Sequence, residues 1–395
     1  MRYAEFLKDG GTIGFIAPSF GCAIEPYISR FDNAIKEFNK RGYKTWLGPN
    51  CFEDKGIGIS NEPSLCGKEL NSVMVDSDSQ YEESDCIITC GGGELMCEVV
   101  PFINFEKIRE SRPKWYMGYS DNTNFTFLSA TLADTAAIYG PCAPTFGRVP
   151  WHESVEDGLK LISGKKTSVS GYGMWEKNEF AQDENAQNEN AQNENAQNED
   201  DRNKNDQNED GWNEANQSEK EIDPLAPYNI SEKSLYYYYL PDKKDLVSGD
   251  NYSEKADGSS YKDGVRLEGR LLGGCLDILT LLVGTKYDKV DEFIDRYSGD
   301  GIIWFLEACD LDMLSMRRAF WQLKEAGWFR NARGFLIGRP RVFGQDIFGV
   351  NQYNAVTDII GELGQPIIMD LDIGHLPPMM PIICGSKAHV SAIGN

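Results

Sequence analysis

The run Lys114-Trp115-Tyr116-Met117-Gly118-Tyr119-Ser120-Asp121-Asn122-Thr123 is an apolar, strand-like stretch that stops at a glycine and presents a serine. A serine placed where a strand turns sharply into a helix has its hydroxyl lifted from the backbone, and the N–H groups that follow face whatever it attacks. That is the layout of an acyl-transfer nucleophile. It departs from Gly-x-Ser-x-Gly, because Asn122 stands where the second glycine would be, and a serine at such a junction also works as a plain helix N-cap. Upstream, Asp85-Cys86-Ile87-Ile88-Thr89-Cys90 runs into Gly91-Gly92-Gly93-Glu94. Three glycines after a strand let backbone N–H groups approach a ligand closely, which suits an oxyanion hole, a phosphate cradle or a tight turn with positive φ. No Gly-Lys-Ser/Thr follows, and the spacing is not that of a dinucleotide site.

An acid and a base are needed beside such a serine. The apolar run Ile302-Ile303-Trp304-Phe305-Leu306 ends in Glu307, where the carboxyl end of a buried strand would hold a triad acid; helix capping by Asp310 or Asp312 is the alternative use of acids here. The chain has only three histidines, His152, His375 and His389. His375 sits in Gly374-His375-Leu376-Pro377-Pro378, a stiff turn suited to an imidazole that takes a proton from serine and returns it to a leaving amine. His389 reads as a surface strand residue and His152 as a local residue at a helix start. Cys90, beside the glycines, is the competing thiol nucleophile.

The elements that must hold these groups alternate. Strand patterns fall at 12–17, 43–47, 85–89 and 115–119 and helix patterns at 28–41 and 124–132, which implies a parallel sheet covered by helices. Further on, helices are expected over 273–283 and 314–326 and strands over 302–307, 332–337 and 366–369. The expectation is an α/β protein of two domains, an N-terminal parallel-sheet domain over 1–165 and a smaller C-terminal domain with a mixed sheet over 262–395. Between them, 176–223 carries sixteen acidic against four basic residues, about half of the net charge of −23, and repeats Glu184-Asn185-Ala186-Gln187-Asn188 from Glu189 and Glu194. Such sequence cannot bury enough apolar surface to offset its ordering entropy and is expected to be a disordered insertion.

Gly118-Tyr119-Ser120-Asp121-Asn122-Thr123, the glycine turn, Leu267-Glu268-Gly269-Arg270-Leu271-Leu272-Gly273-Gly274-Cys275-Leu276, Leu306-Glu307 and Gly374-His375 together resemble the LD-carboxypeptidases. The opening Gly11-Thr12-Ile13-Gly14-Phe15-Ile16-Ala17-Pro18-Ser19 is similar to that family's first strand. The resemblance implies a serine nucleophile at Ser120, a triad glutamate at Glu307, a base at His375, and an oxyanion hole from the backbone N–H groups of Gly93 and Asp121. It also implies an active site in the groove between the domains. Cys90 and Glu94, where the family commonly has a basic or aromatic residue, and Cys275, which replaces the asparagine usual after Gly-Gly, depart from the family pattern.

The activity implied is hydrolysis of an amide next to a free carboxylate, releasing terminal D-alanine from cytoplasmic muropeptides. The alternatives are hydrolysis of a peptidyl-nucleotide antibiotic, with Tyr236 to Tyr239 or Trp212 stacking on the base, a catalytically silent muropeptide-binding protein, and a nucleotide-binding oxidoreductase. No cofactor and no metal site are expected, the cysteines lacking tight metal-binding pairs. No run of about 18 apolar residues and no apolar leader appear, so a cytoplasmic enzyme with a small peptide as partner, without nucleic acid or membrane, is expected; a homodimer stays open. Ten cysteines in partly apolar surroundings read as reduced.

Overall fold

The computed structural model describes residues 1–56, 58–75, 84–177, 223–240, 245–248 and 265–392. The expected disorder of the acidic insertion, and Trp212 within it, lie outside the described residues over 178–222.

The first part of the chain supplies β1 (Thr12–Ile16), β2 (Lys44–Leu47), β3 (Cys86–Thr89), β4 (Trp115–Gly118) and β5 (Ala137–Tyr139). A two-residue ladder of β6 (Met174–Trp175) and β7 (Glu232–Lys233) follows, then β8 (Tyr237–Leu240), β9 (Asp245–Ser248), β10 (Val265–Cys275), β11 (Ile302–Glu307), β12 (Ala332–Gly338), β13 (Ile367–Leu371), β14 (Ile382–Cys384) and β15 (Lys387–Ala392). Two sheets result, with strand orders β14-β5-β4-β3-β1-β2 and β15-β10-β11-β12-β13-β8-β9. In the first, β1 to β5 are parallel and β14 is antiparallel to β5. In the second, β10 to β13 are parallel, and β15 and β8 flank them antiparallel. Both are α/β units, the second with a mixed sheet. The central strands β3, β4 and β11 are buried along their whole length, which is why they read as unbroken apolar runs instead of alternating ones.

The helix Thr123–Thr131 is buried at every position despite its threonines and asparagine. It packs against β4 and β5 on one side and β10 and the helix Leu276–Leu282 on the other, so it has no solvent face to keep polar. Phe127 stacks on Trp328 at 5.3 Å and Trp328 on Trp304 at 6.0 Å, joining the two units through one apolar core. Strand β14, near the end of the chain, crosses back to the first sheet through the Ile382–Tyr139 register.

The helix expected over 273–283 begins only at Leu276, because Gly273, Gly274 and Cys275 end β10, paired with Phe305, Leu306 and Glu307. A Cβ at Gly273 would collide with the Phe305 carbonyl, and one at Gly274 would lie 2.7 Å from Thr123 Cγ2. The glycines therefore serve close strand and helix approach, at backbone angles an L side chain avoids.

Candidate active site

Strand β4 ends at Gly118, Tyr119 stays extended, and Ser120 turns to φ +63° before one tight turn, Ser120–Asn122, leads into the helix Thr123–Thr131. A left-handed serine costs on the order of 1–3 kcal/mol and persists only where its surroundings over-determine it. Asn122 supplies much of that constraint: its amide donates to the Gly91 carbonyl at 2.7 Å and the Tyr119 carbonyl at 3.1 Å, and its oxygen accepts from the Tyr116 hydroxyl at 2.5 Å. The residue that breaks the glycine pattern thus ties the serine turn to the glycine turn.

The glycine turn lies against the serine. A Cβ at Gly92 would come within 2.9 Å of Ser120 Cβ and 3.1 Å of its Oγ, and one at Gly93, at φ +119°, would collide with Ser19 Oγ. The Asp121 carboxylate is buried and braces the same region, accepting from Ser19 Oγ at 2.5 Å, the Met96 N–H at 2.8 Å and the Asn124 amide at 2.8 Å. Burial pushes its pKa up against those three donors. The N–H groups of Gly93 and Asp121 donate no backbone hydrogen bond among the described residues, which leaves them free for a ligand.

Glu307 ends β11 with no exposure. Its Oε2 lies 2.8 Å from His375 Nδ1, and His375 Nε2 lies 2.8 Å from Ser120 Oγ. Serine, imidazole and carboxylate, separated by 255 and 68 residues along the chain, therefore meet in one relay. Gly374, at φ +110°, makes room: a Cβ there would stand 2.5 Å from Glu307 Oε2. Burial works to lower the His375 pKa, but the Glu307 carboxylate, joined by the Cys309 side chain, outweighs it and holds the imidazole well above its usual value. Burial likewise works to raise Glu307, and the imidazole, with hydrogen bonds from His375 and Tyr139, keeps it below the usual carboxylate range. The two directions agree: each partner favours the charged form of the other.

Two residues at the site were not singled out by the sequence. The Tyr139 hydroxyl donates to Glu307 Oε1 at 2.5 Å and accepts the Ser120 N–H at 3.2 Å. Asp277, in the first turn of the helix Leu276–Leu282, accepts the Cys309 and Asp310 N–H groups at 3.0 and 2.9 Å and so pins the segment that follows Glu307. Nothing local marked either residue: with the helix expected from 273, Asp277 fell beyond its first turn, and it enters that turn only because the helix starts at Leu276. Cys275 donates its N–H to Thr123 Oγ1 at 3.0 Å, holding the second unit to the first. Glu94 is exposed; burial, then Asp310, Asp121 and Asp277, push its pKa up, while His375 pulls it down.

The remaining candidates fall elsewhere. Cys90 is fully buried and burial pushes its thiol far up, so it is not available to a substrate. His152 caps the helix Glu153–Ile162 by accepting the Ser154 N–H at 3.1 Å, and His389 is exposed on β15. Tyr237, Tyr238 and Tyr239 belong to β8, paired with β13, with Tyr238 buried. All ten cysteines are free. Among the described residues no helix is long and apolar enough to cross a membrane.

A serine turn on a parallel sheet thus meets an imidazole and a carboxylate carried by a second sheet, the arrangement that serine hydrolase chemistry requires. Residues 13–140 match the LD-carboxypeptidase N-terminal domain and residues 268–390 the LD-carboxypeptidase C-terminal domain. The chain belongs to the LD-carboxypeptidase family. It is 23% identical over 388 residues to the microcin C7 self-immunity protein MccF of Escherichia coli, covering 96% of this chain and 90% of that protein. It is 22% identical over 391 residues to a probable murein peptide carboxypeptidase of Bacillus subtilis (strain 168), covering 97% and 89%. Among solved structures, MccF in its wild-type apo state superposes with a TM-score of 0.69 at 19% identity, covering 99% of this chain and 96% of that one. MccF in complex with aspartyl sulfamoyl adenosine gives 0.68 at 19% identity over 99% and 96%. An MccF-like protein from Bacillus anthracis gives 0.68 at 18% identity over the same shares. At these identities the structural likeness establishes the two-domain α/β fold.

Proposed function

We propose that this chain is a serine carboxypeptidase acting on an amide next to a free carboxylate, most simply the L,D-bond that releases terminal D-alanine from cytoplasmic muropeptides. His375 Nε2 takes the Ser120 proton as Oγ attacks the carbonyl carbon, and the carbonyl π electrons move to oxygen. Glu307 holds the Nδ1–H tautomer and stabilises the imidazolium. The N–H groups of Gly93 and Asp121 receive the oxyanion. Collapse breaks the C–N bond, His375 returns the proton to the leaving amine, and water, deprotonated by the same imidazole, releases the acid and restores Ser120. The observation that carries this reading is the unbroken 2.8 Å and 2.8 Å relay from Ser120 to His375 to Glu307.

A second substrate, a peptidyl or aminoacyl nucleotide, is favoured by the relatives: MccF has been solved with aspartyl sulfamoyl adenosine and with glutamyl sulfamoyl guanosine. Incubating the chain separately with a muramoyl tetrapeptide and with aspartyl sulfamoyl adenosine, and following D-alanine and aspartate release, distinguishes them. D-Alanine release lost in Ser120→Ala is the expected result. Release of aspartate alone moves the assignment to the nucleotide substrate, and release of neither, with binding intact, makes the chain a silent binder.

A further inference from the structure

Tyr139 ends β5 with its ring fully buried, 5.6 Å from the Phe305 ring of β11. Its phenol touches both parts of the reacting group that come from different sheets: the main chain of Ser120 and the carboxylate of Glu307. The directions of these bonds are fixed by chemistry. An ionised carboxylate only accepts and a backbone N–H only donates, so the phenol proton points to Glu307 and an oxygen lone pair to Ser120. Burial, then the Glu307 charge, push the phenol's pKa well above the ordinary tyrosine value.

Each bond has a separate consequence. A fully buried carboxylate is driven toward its neutral form unless donors hold its charge; His375 serves one oxygen of Glu307 and Tyr139 the other. Ser120 lies beyond the end of β4 at Gly118, so its N–H has no strand partner, and a half-buried N–H without an acceptor is costly; the Tyr139 oxygen is that acceptor. Since the Ser120 N–H is thereby spent, the N–H groups left to an oxyanion are those of Gly93 and Asp121.

We propose that Tyr139 is a positioning residue for the hydrolytic reaction, fixing the Glu307 carboxylate toward His375 and the left-handed turn of Ser120 at once, so that docking of the two sheets and assembly of the relay are a single event. The proposal rests on the serine-peptidase reading, and its test has a readout that needs no substrate. The proton between His375 Nδ1 and Glu307 gives a low-field resonance whose pH titration reports the pair directly. In Tyr139→Phe the carboxylate, short of one donor, pulls harder on the imidazolium and is itself protonated more readily. Both effects move the titration midpoint, and with it the acid limb of kcat/KM, upward by about half a pH unit or more. In the same variant kcat falls by about tenfold to hundredfold with KM within about twofold.

Installing 3-fluorotyrosine at position 139 keeps the ring and strengthens the donor, so the midpoint moves down; this arm decides the matter alone if Tyr139→Phe does not fold. Phe305→Leu, which loosens the packing of the ring without touching its hydroxyl, lowers Tm and leaves the midpoint in place. Opposite displacements in the phenylalanine and fluorotyrosine proteins support the role, even if the wild type cleaves no peptide, a result that would remove the peptidase reading alone. An unmoved midpoint in the protein that folds, with or without a fall in kcat, assigns Tyr139 to packing and overturns the proposal.

Discussion

At the scale of residues, Ser120 is held in an unfavourable conformation by neighbours that leave it no other. Because the Glu307 carboxylate, with Cys309 beside it, outweighs burial and raises the His375 pKa, the imidazole gives up its proton and becomes a base at a higher pH than an ordinary histidine. The kcat/KM profile should therefore rise with pH through a limb lying above about 6.5, the ordinary histidine value; a limb below it in a pH–rate measurement would show that Glu307 does not act on the imidazole. Gly374→Ala would place a Cβ 2.5 Å from Glu307 Oε2 at φ +110°, and kcat should drop by about tenfold or more, with KM little changed, as the base is displaced. Ser120, Glu307 and His375 were readable because each follows an apolar run or a glycine that halts it. Tyr139 was not, since in Ala137-Ile138-Tyr139 it resembles any core residue and its role depends on a carboxylate 168 positions away.

At the scale of elements, the sequence supplied the alternation of strands and helices but not their neighbours. The Gly273-Gly274 pair was readable as a helix start only while its partner strand was unknown; once β11 lies alongside, the same glycines are required in β10 by the approach of Phe305 and Thr123. The helix Pro63–Met74 offers a test of a different kind. Its Glu69 is buried, accepts the Ala17 and Asn50 N–H groups at 3.0 Å each, and has its pKa pushed by burial from 4.5 to about 7. A folded-state pKa above the unfolded one means stability fully present below about 4.5 and lost as pH rises to about 7, on the order of 3 kcal/mol in all. Urea unfolding between pH 5 and 8 should show this decline, and Glu69→Gln should flatten it. An undiminished slope in that variant would assign the decline to other groups.

At the scale of the whole molecule, two sheets share one core, and the site exists only where they meet. Phe127→Ala, which empties the stack on Trp328, should cost about 3–5 kcal/mol and lower a single cooperative transition seen alike by circular dichroism and tryptophan fluorescence. Two separated transitions would mean that the units fold independently. The stem of the insertion is anchored on both units: Arg30 and Arg148 donate to the carbonyls of Pro224 and Ala226, and the Glu176 N–H donates to the Pro377 carbonyl, two residues beyond His375. Replacing 178–222 by a short Gly-Ser linker should therefore leave Tm within a few degrees and turnover intact. Whether Ser120, His375 and Glu307 act as one nucleophilic relay is decided by the rate and site of phosphonylation with a small fluorophosphonate, read by peptide mapping in the wild type and in His375→Ala. A single adduct on Ser120 is expected, forming about a hundredfold to ten-thousandfold more slowly without the imidazole; an adduct on another residue, or an equal rate in His375→Ala, would show that no such relay operates.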